Sequence, residues 1–138
     1  MKLREETKSR ARALQLLYAW ELQAGPPVES VVRGVARLTG PEPRIFDRAE
    51  SLAEGVVADL GALDAEAARA SEHWRMSRMA VVERNILRLG ILELRRGEVP
   101  PKVAIAEAVR LARWFGGARA PAFVNGVLDA IARTLGRL

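Results

Sequence analysis

The sequence has 138 residues, of which 49% are hydrophobic and 28% are charged, and its formal net charge is +5. This length fits one ordinary domain, and the composition is that of a folded globular protein rather than a disordered one. Cysteine is absent and histidine occurs once, which excludes disulfides, thiolate zinc sites and metal sites built from several histidines. No apolar run approaches the ~20 residues of a membrane span, and the charged N-terminus is unlike a signal peptide, so a cytoplasmic protein is expected.

Apolar residues recur at helical spacing along most of the chain, in segments separated by proline and glycine. The breaks fall at residues 25–27, 40–43, 61, 97–101 and 116–121, where these residue types favour turns. The spacing predicts helices over roughly residues 5–23, 28–35, 46–60, 64–73, 80–95 and 102–115, and a last helix that starts near Pro121. Asp64 is the predicted N-cap of the fourth helix. Since no segment alternates with the period of a strand, the predicted fold class is all-α, a compact bundle of about seven helices.

The fifth predicted helix differs from the others because its apolar residues occupy two neighbouring faces. Val82 and Ile86 lie on one face, while Leu87 and Ile91 lie on the next. An apolar stripe of this width is typical of a helix that is packed on several sides. We therefore expect this helix at the centre of the bundle.

Arginine dominates the basic residues, because only Lys2, Lys8 and Lys102 of the 22 basic residues are lysine. The basic residues concentrate at the N-terminus and in the C-terminal half, around an acidic middle. Arginine recognises phosphates in a bidentate manner and stacks on bases, so this distribution indicates one side that faces a polyanion. Genome composition or thermal adaptation would also enrich arginine, and composition alone leaves that alternative open.

The first predicted helix carries a basic stripe. Arg4, Lys8 and Arg12 recur every four residues and therefore project from one side, which Gln15 continues one turn on. Such a stripe can follow a nucleic-acid backbone, with the amide of Gln15 free to hydrogen-bond bases. The alternative is a solvated helix face, balanced by the neighbouring glutamates.

Few residues of the sequence are suited to catalysis, which needs a converging set of reactive groups. The single histidine, His73, is interpreted as a surface or capping residue rather than a catalytic base. The acidic residues of the third predicted helix are spread at helical spacing, which is typical of a solvated face. The glycines at 116 and 117 are not followed by the Lys-Ser/Thr of a phosphate loop. No catalytic residue, metal site or cofactor is therefore expected.

The pair Asn125-Gly126 interrupts the helical pattern of the last predicted helix. Glycine within a helix costs about 1 kcal/mol relative to alanine, so a compensating reason for its presence is expected. We expect a neighbouring helix to approach closely at Gly126, where a larger side chain would overpack the contact. Both residues are accordingly interpreted as structural rather than catalytic.

Several segments of the sequence, in order along the chain, resemble the NusB family of transcription antitermination factors. The basic first helix ends in a Leu-Gln-x-Leu-Tyr pattern, and the last segment is the most specific of the set. The matching segments are Leu14-Gln15-Leu16-Leu17-Tyr18, Glu83-Arg84 with Leu87-Arg88, residues 99–108, Phe115-Gly116, and Phe123-Val124-Asn125-Gly126-Val127-Leu128-Asp129.

The resemblance implies an adaptor without catalytic activity. Members of the family bind the boxA element of nascent RNA in ribosomal RNA operons, together with the small-subunit ribosomal protein that acts as NusE. This assembly belongs to an RNA polymerase antitermination complex and has no membrane component. The resemblance also implies two packed helical subdomains, approximately residues 1–61 and 62–138 with a boundary near Gly61, and it allows a homodimer.

The resemblance also assigns roles to individual residues. The residues that would face RNA are Lys2, Lys8, Arg10, Gln15, Arg119 and Phe123, and those that would face NusE are Tyr18, Glu83, Arg84 and Arg88. Burial of the Val82 side of the fifth helix would leave Glu83, Arg84 and Arg88 as an exposed border. Because that border is mixed in charge, it suits a protein partner better than an RNA backbone.

Two other functions remain open on the sequence alone. Similar helical domains occur in front of rRNA cytosine methyltransferases, so the chain could be a stand-alone RNA-binding module related to those domains. A purely structural interaction module, whose basic residues only aid solubility, is the third interpretation. A preference for boxA RNA would separate the first function from the third.

Overall fold

The computed structural model describes residues 3–71 and 78–138, and these residues form seven α-helices. The helices are α1 (Glu5–Leu22), α2 (Val28–Thr39), α3 (Pro43–Ala58), α4 (Leu60–Ser71), α5 (Val81–Arg96), α6 (Pro101–Phe115) and α7 (Ala120–Thr134). The predicted all-α fold class and the predicted number of helices are confirmed for this part of the chain. None of the described helices is both long and apolar enough to cross a membrane.

The ends of the helices follow the glycine and proline residues of the sequence. Gly97 follows α5 in the left-handed conformation with φ of 65°, a backbone geometry that favours glycine after a helix. Pro101 opens α6, where its missing N–H costs no hydrogen bond. The predicted start of α4, with Asp64 as its N-cap, is wrong because this helix already begins at Leu60. Asp64 therefore lies within the helix, and its carboxylate binds an arginine of α5 instead of capping α4.

The residues up to Ala58 form one compact unit, here called unit 1, which contains the first three helices. α1 packs against α2 and α3, and α2 also packs against α3. Because two helices cover it, α1 is buried over a broad side. Leu16 and Leu17 of α1 are buried in the core, together with Val31 of α2 and Val56 of α3.

The residues from Asp59 onward form a second compact unit, unit 2, built from α4 to α7. α5 contacts all three other helices of the unit, which confirms the predicted central helix. Leu87 and Ile91 are fully buried. Gly90 marks a close approach of α5 to α7, since a Cβ atom there would lie 2.6 Å from Cδ1 of Leu128.

Gly126 does not have the role predicted for it. The residue is exposed on α7, and a Cβ atom added to it would meet no atom within 4 Å. The expectation of a close helix contact at this glycine is therefore wrong. A close contact of this kind lies instead at Gly90, which is buried on α5 one turn after Ile86.

Candidate functional site

In unit 1, the predicted basic stripe of α1 meets an acidic residue of the segment before α3. Nη2 of Arg12 lies 3.1 Å from Oε1 of Glu42, and Nζ of Lys8 lies 4.0 Å from its Oε2. Arg12 also donates through Nη1 to Oε1 of Gln15 over 2.9 Å. The structure thus brings Lys8, Arg12 and Gln15 together, as their spacing predicted. Glu42 therefore neutralises part of the basic stripe. Its contact with Lys8 is longer than its contact with Arg12.

Two arginines of α3 extend this basic surface beyond what the sequence suggested. Arg44 pairs with Glu5, and Arg48 pairs with Glu6, with N–O distances of 3.1 Å in both cases. A backbone hydrogen bond, followed by the contact with Arg48, lowers the pKa of the Glu6 carboxyl from its usual value. Exposed ion pairs of this kind contribute little stability. The glutamates at the start of α1 therefore pair with arginines of α3 rather than with Lys8.

The remaining predicted residues of α1 differ in exposure. Arg10, assigned to the RNA-facing set, is only 6% exposed. A residue that faces RNA is expected to be exposed, and Arg10 is not, because α2 and α3 both pack against α1. Its role in RNA binding remains a prediction. Tyr18 is 42% exposed, as a partner-facing residue would be, and Leu22 one turn later is 66% exposed.

Unit 2 contains a cleft of about 250 Å³ between the segment before α5 and the start of α7. It will be called the α5–α7 cleft. This cleft unites Glu83, which was assigned to the protein partner, with Arg119 and Phe123, which were assigned to RNA. It also contains Arg78, which sequence analysis missed because this arginine lies in a short connecting segment with no periodicity. The lining residues are Arg78, Met79, Ala80, Glu83, Arg119, Ala120 and Phe123.

Polar contacts from α5 hold both walls of the α5–α7 cleft. The backbone N–H of Gly117, in the loop between α6 and α7, donates to Oε1 of Glu83 over 3.2 Å. Arg84 donates through Nη1 to the carbonyl oxygen of Met79 over 3.1 Å. Glu83 thus anchors the loop that leads to Arg119, while Arg84 supports the opposite segment. Both side chains are half-buried.

Arg88 does not lie on an exposed border, although it was predicted there. It is 5% exposed, and its guanidinium binds both carboxylate oxygens of Asp64 at 2.7 and 2.8 Å. A third hydrogen bond runs from Nη1 to Oδ1 of Asn85 over 2.9 Å. The prediction of exposure is wrong because α4, α6 and α7 surround α5, so the exposed part of this helix is narrower than its sequence pattern suggests.

Two residues that were singled out in the sequence, Lys2 and His73, lie outside the described residues. Within residues 3–71 and 78–138, no group of three histidine, aspartate or glutamate side chains is placed to hold a metal ion. The cleft and the basic surface described above present guanidinium, ammonium, carboxylate and aromatic groups.

Comparison with known proteins identifies the family. A family model described as the NusB family matches residues 7–133, and the chain belongs to this family. It is 46% identical over 130 residues to the transcription antitermination protein NusB of Sorangium cellulosum, covering 94% of this chain and 92% of that protein.

Solved structures of the family have the same fold. One is NusB of T. maritima, with 29% sequence identity, a TM-score of 0.83, and coverage of 96% of this chain and 93% of the other. Another is a crystal structure of the antitermination factors NusB and NusE in complex with dsRNA. It is 28% identical to this chain with a TM-score of 0.83, and the match covers 96% of this chain and 99% of that one.

Proposed function

We propose that this protein is a non-enzymatic RNA-binding adaptor of transcription antitermination. It binds boxA-type RNA of ribosomal RNA operons together with the small-subunit ribosomal protein NusE, within an RNA polymerase antitermination complex in the cytoplasm. Membership of the NusB family supports this function. The observation that carries it at the level of residues is the α5–α7 cleft, where two arginines, an aromatic ring and one carboxylate converge.

RNA binding is assigned to the basic and aromatic groups of each unit. In the α5–α7 cleft, Arg119 can pair with a phosphate, and Phe123 offers a ring for base stacking. In unit 1, Lys8 and the arginines Arg44 and Arg48 of α3 supply cations for the RNA backbone. Base contacts give sequence preference, whereas phosphate contacts give affinity that falls with salt.

Partner binding is assigned to Glu83 in unit 2 and to Tyr18 in unit 1. Among the described residues that line the cleft, Glu83 supplies a carboxylate beside the two arginines Arg78 and Arg119. A carboxylate repels phosphates, so its presence there suits a basic protein surface better than an RNA backbone. Tyr18 is sufficiently exposed to act as an aromatic anchor, a residue type that carries much of the binding energy in protein interfaces.

The RNA assignment is tested with two arginines of the same helix region. Arg119→Ala removes a cleft cation, while Arg133→Ala removes an exposed cation near the far end of α7, where Arg133 pairs with Asp129. We expect Arg119→Ala to weaken binding of a boxA-type RNA and to flatten the plot of log K against log salt by roughly 0.7 per lost phosphate contact. Arg133→Ala should leave both unchanged. Equal RNA affinity and equal salt dependence of the two variants would refute the assignment of RNA binding to the α5–α7 cleft.

The partner assignment is tested at Glu83. Glu83→Gln keeps an oxygen that can accept the N–H of Gly117, whereas Glu83→Lys removes this acceptor and inverts the charge. We expect both variants to lose affinity for NusE, Glu83→Lys more strongly, while binding to isolated RNA is retained or rises. Wild-type affinity of Glu83→Lys for NusE would remove this residue from the interface. Loss in Glu83→Lys alone would assign Glu83 to anchoring of the loop instead.

A further inference from the structure

The C-terminal end of α6 presents two aromatic rings and an arginine to solvent. Trp114 and Phe115 are each 44% exposed. Their ring centroids are 6.3 Å apart, with the ring planes at 88° to each other. The guanidinium carbon of Arg110 lies 5.9 Å from the centroid of the Trp114 ring, within the range of a cation–π contact. These three residues are called the α6 aromatic cluster.

Along α6, a further arginine adjoins the α6 aromatic cluster. Arg113 lies on the same helix beside Trp114 and is exposed. The acidic residue nearest along the helix, Glu107, has its carboxylate 3.4 Å from Nε of Arg110 and is largely covered. Adjacent large exposed aromatic side chains mark interaction sites. Aromatic rings combined with arginines form the surfaces that bind single-stranded nucleic acid, because every base can stack on a ring and every phosphate attracts a cation.

The α6 aromatic cluster is also directly connected to the α5–α7 cleft. Phe115 is the last residue of α6, and the loop that follows leads to Arg119 at the start of α7. Four residues of extended chain span at most about 14 Å, so the Cα atom of Phe115 lies within that distance of the Cα atom of Arg119. The loop is held in place, because Gly117 binds Glu83 and a Cβ atom at Gly116 would lie 2.7 Å from that of Ala120.

We propose that the α6 aromatic cluster is a second RNA contact, at which Trp114 stacks on an unpaired base that flanks the RNA element held in the α5–α7 cleft. This inference rests on the proposed RNA-binding function. The two arginines of α6 beside the rings, set against the single glutamate Glu107, favour an anionic partner. The stacking surface of the rings favours RNA over an acidic protein segment, because bases stack on aromatic side chains. The continuous surface from α6 through the loop to α7 gives one strand a path from the cleft to the cluster.

The test uses the full chain and two RNAs, a boxA-type RNA and the same RNA extended at both ends by single-stranded nucleotides. Trp114→Leu keeps an apolar side chain but removes the ring, and Trp114→Phe keeps a ring. We expect Trp114→Leu to weaken binding of the extended RNA by roughly five- to hundredfold, with no change for the short RNA. Trp114→Phe should retain most of the affinity. Val103→Ala serves as control, because Val103 is a 43% exposed apolar residue at the other end of α6.

A direct signal comes from a protein in which the other two tryptophans of the sequence, Trp20 and Trp74, are replaced by phenylalanine. Stacking of a base on Trp114 should quench its fluorescence when the extended RNA is added, and the short RNA should leave it unchanged. Circular dichroism establishes that the variant is folded.

The outcomes separate this inference from the proposed function. If both RNAs bind with equal affinity to the wild-type protein and to Trp114→Leu without quenching, the second contact is refuted while the proposed function stands. If neither RNA binds the wild-type protein with or without NusE, the proposed function fails and the second contact fails with it. If Trp114→Leu loses affinity for NusE but not for RNA, the cluster is a protein-docking surface and the inference is overturned.

Discussion

Replacement of Asp64 by alanine is the sharpest test of the packing in unit 2. In the folded protein the guanidinium of Arg88 binds both oxygens of Asp64, at 2.7 and 2.8 Å. The Arg88 side chain is 6% exposed and the Asp64 side chain is 29% exposed. Asp64→Ala would remove both of these contacts from a buried cation, while the hydrogen bond from Nη1 of Arg88 to Asn85 stays. We expect a large loss of folding free energy, because removing the carboxylate that pairs with a buried guanidinium is costly.

The size of this loss follows from the burial of the two partners. Removing one member of a buried ion pair costs about 3–5 kcal/mol. Water reaches the Asp64 side of the pair, so the lower end of that range applies, about 3 kcal/mol, which corresponds to a fall in Tm of roughly 10 °C. Arg88→Met should cost less, since the remaining carboxylate is partly solvated. The double variant Asp64→Leu/Arg88→Met should recover much of the loss, because an apolar pair can replace a buried ion pair.

A second ion pair of the same residue types serves as the matched control. Nε of Arg133 lies 2.9 Å from Oδ2 of Asp129, and these side chains are 66% and 41% exposed. Asp129→Ala should change the free energy of unfolding by less than about 0.5 kcal/mol. Urea denaturation of the four variants and of the wild-type protein measures all of these differences. A loss below about 1 kcal/mol in Asp64→Ala, or equal losses at the two aspartates, would refute the argument from burial.

Two glycines and one glutamate provide further predictions. Gly126→Ala should stabilise the protein by up to about 1 kcal/mol in urea denaturation, because the position is helical and open. Gly90→Ala should destabilise it by crowding the buried Leu128. A change of the same sign in the free energy of unfolding for both variants would contradict this reasoning. Burial, followed by repulsion from Glu54, raises the pKa of Glu50, so the folded state binds a proton more tightly than the unfolded state. Stability should therefore fall as pH rises from the usual glutamate value, about 4.3, through the raised pKa. Glu50→Gln should remove this part of the decline, and parallel pH profiles of the two proteins would show the reasoning to be wrong.

The candidate site was only partly predictable from the sequence, as three arginines show. Arg12 could be placed beside Lys8 and Gln15 because helical periodicity is a local property. Its pairing with Glu42, however, joins α1 to the segment before α3. The apolar spacing around Arg88 predicts an exposed side chain. It is buried because three helices pack against α5. Arg78 carries no periodic signal, and only the position of α7 places it in a cleft.

What the sequence determined by itself is the set of helices and their approximate ends. Apolar spacing and the positions of glycine and proline act within one or two turns, so they can be read along the chain. The tertiary structure decided which polar groups are exposed, since a side chain's burial depends on neighbours that are distant in the sequence. It exposed Gly126 and buried Arg88, and it brought Glu83 and Phe123 into one cleft. Local patterns therefore specified the fold class, and long-range packing specified the surface available for binding.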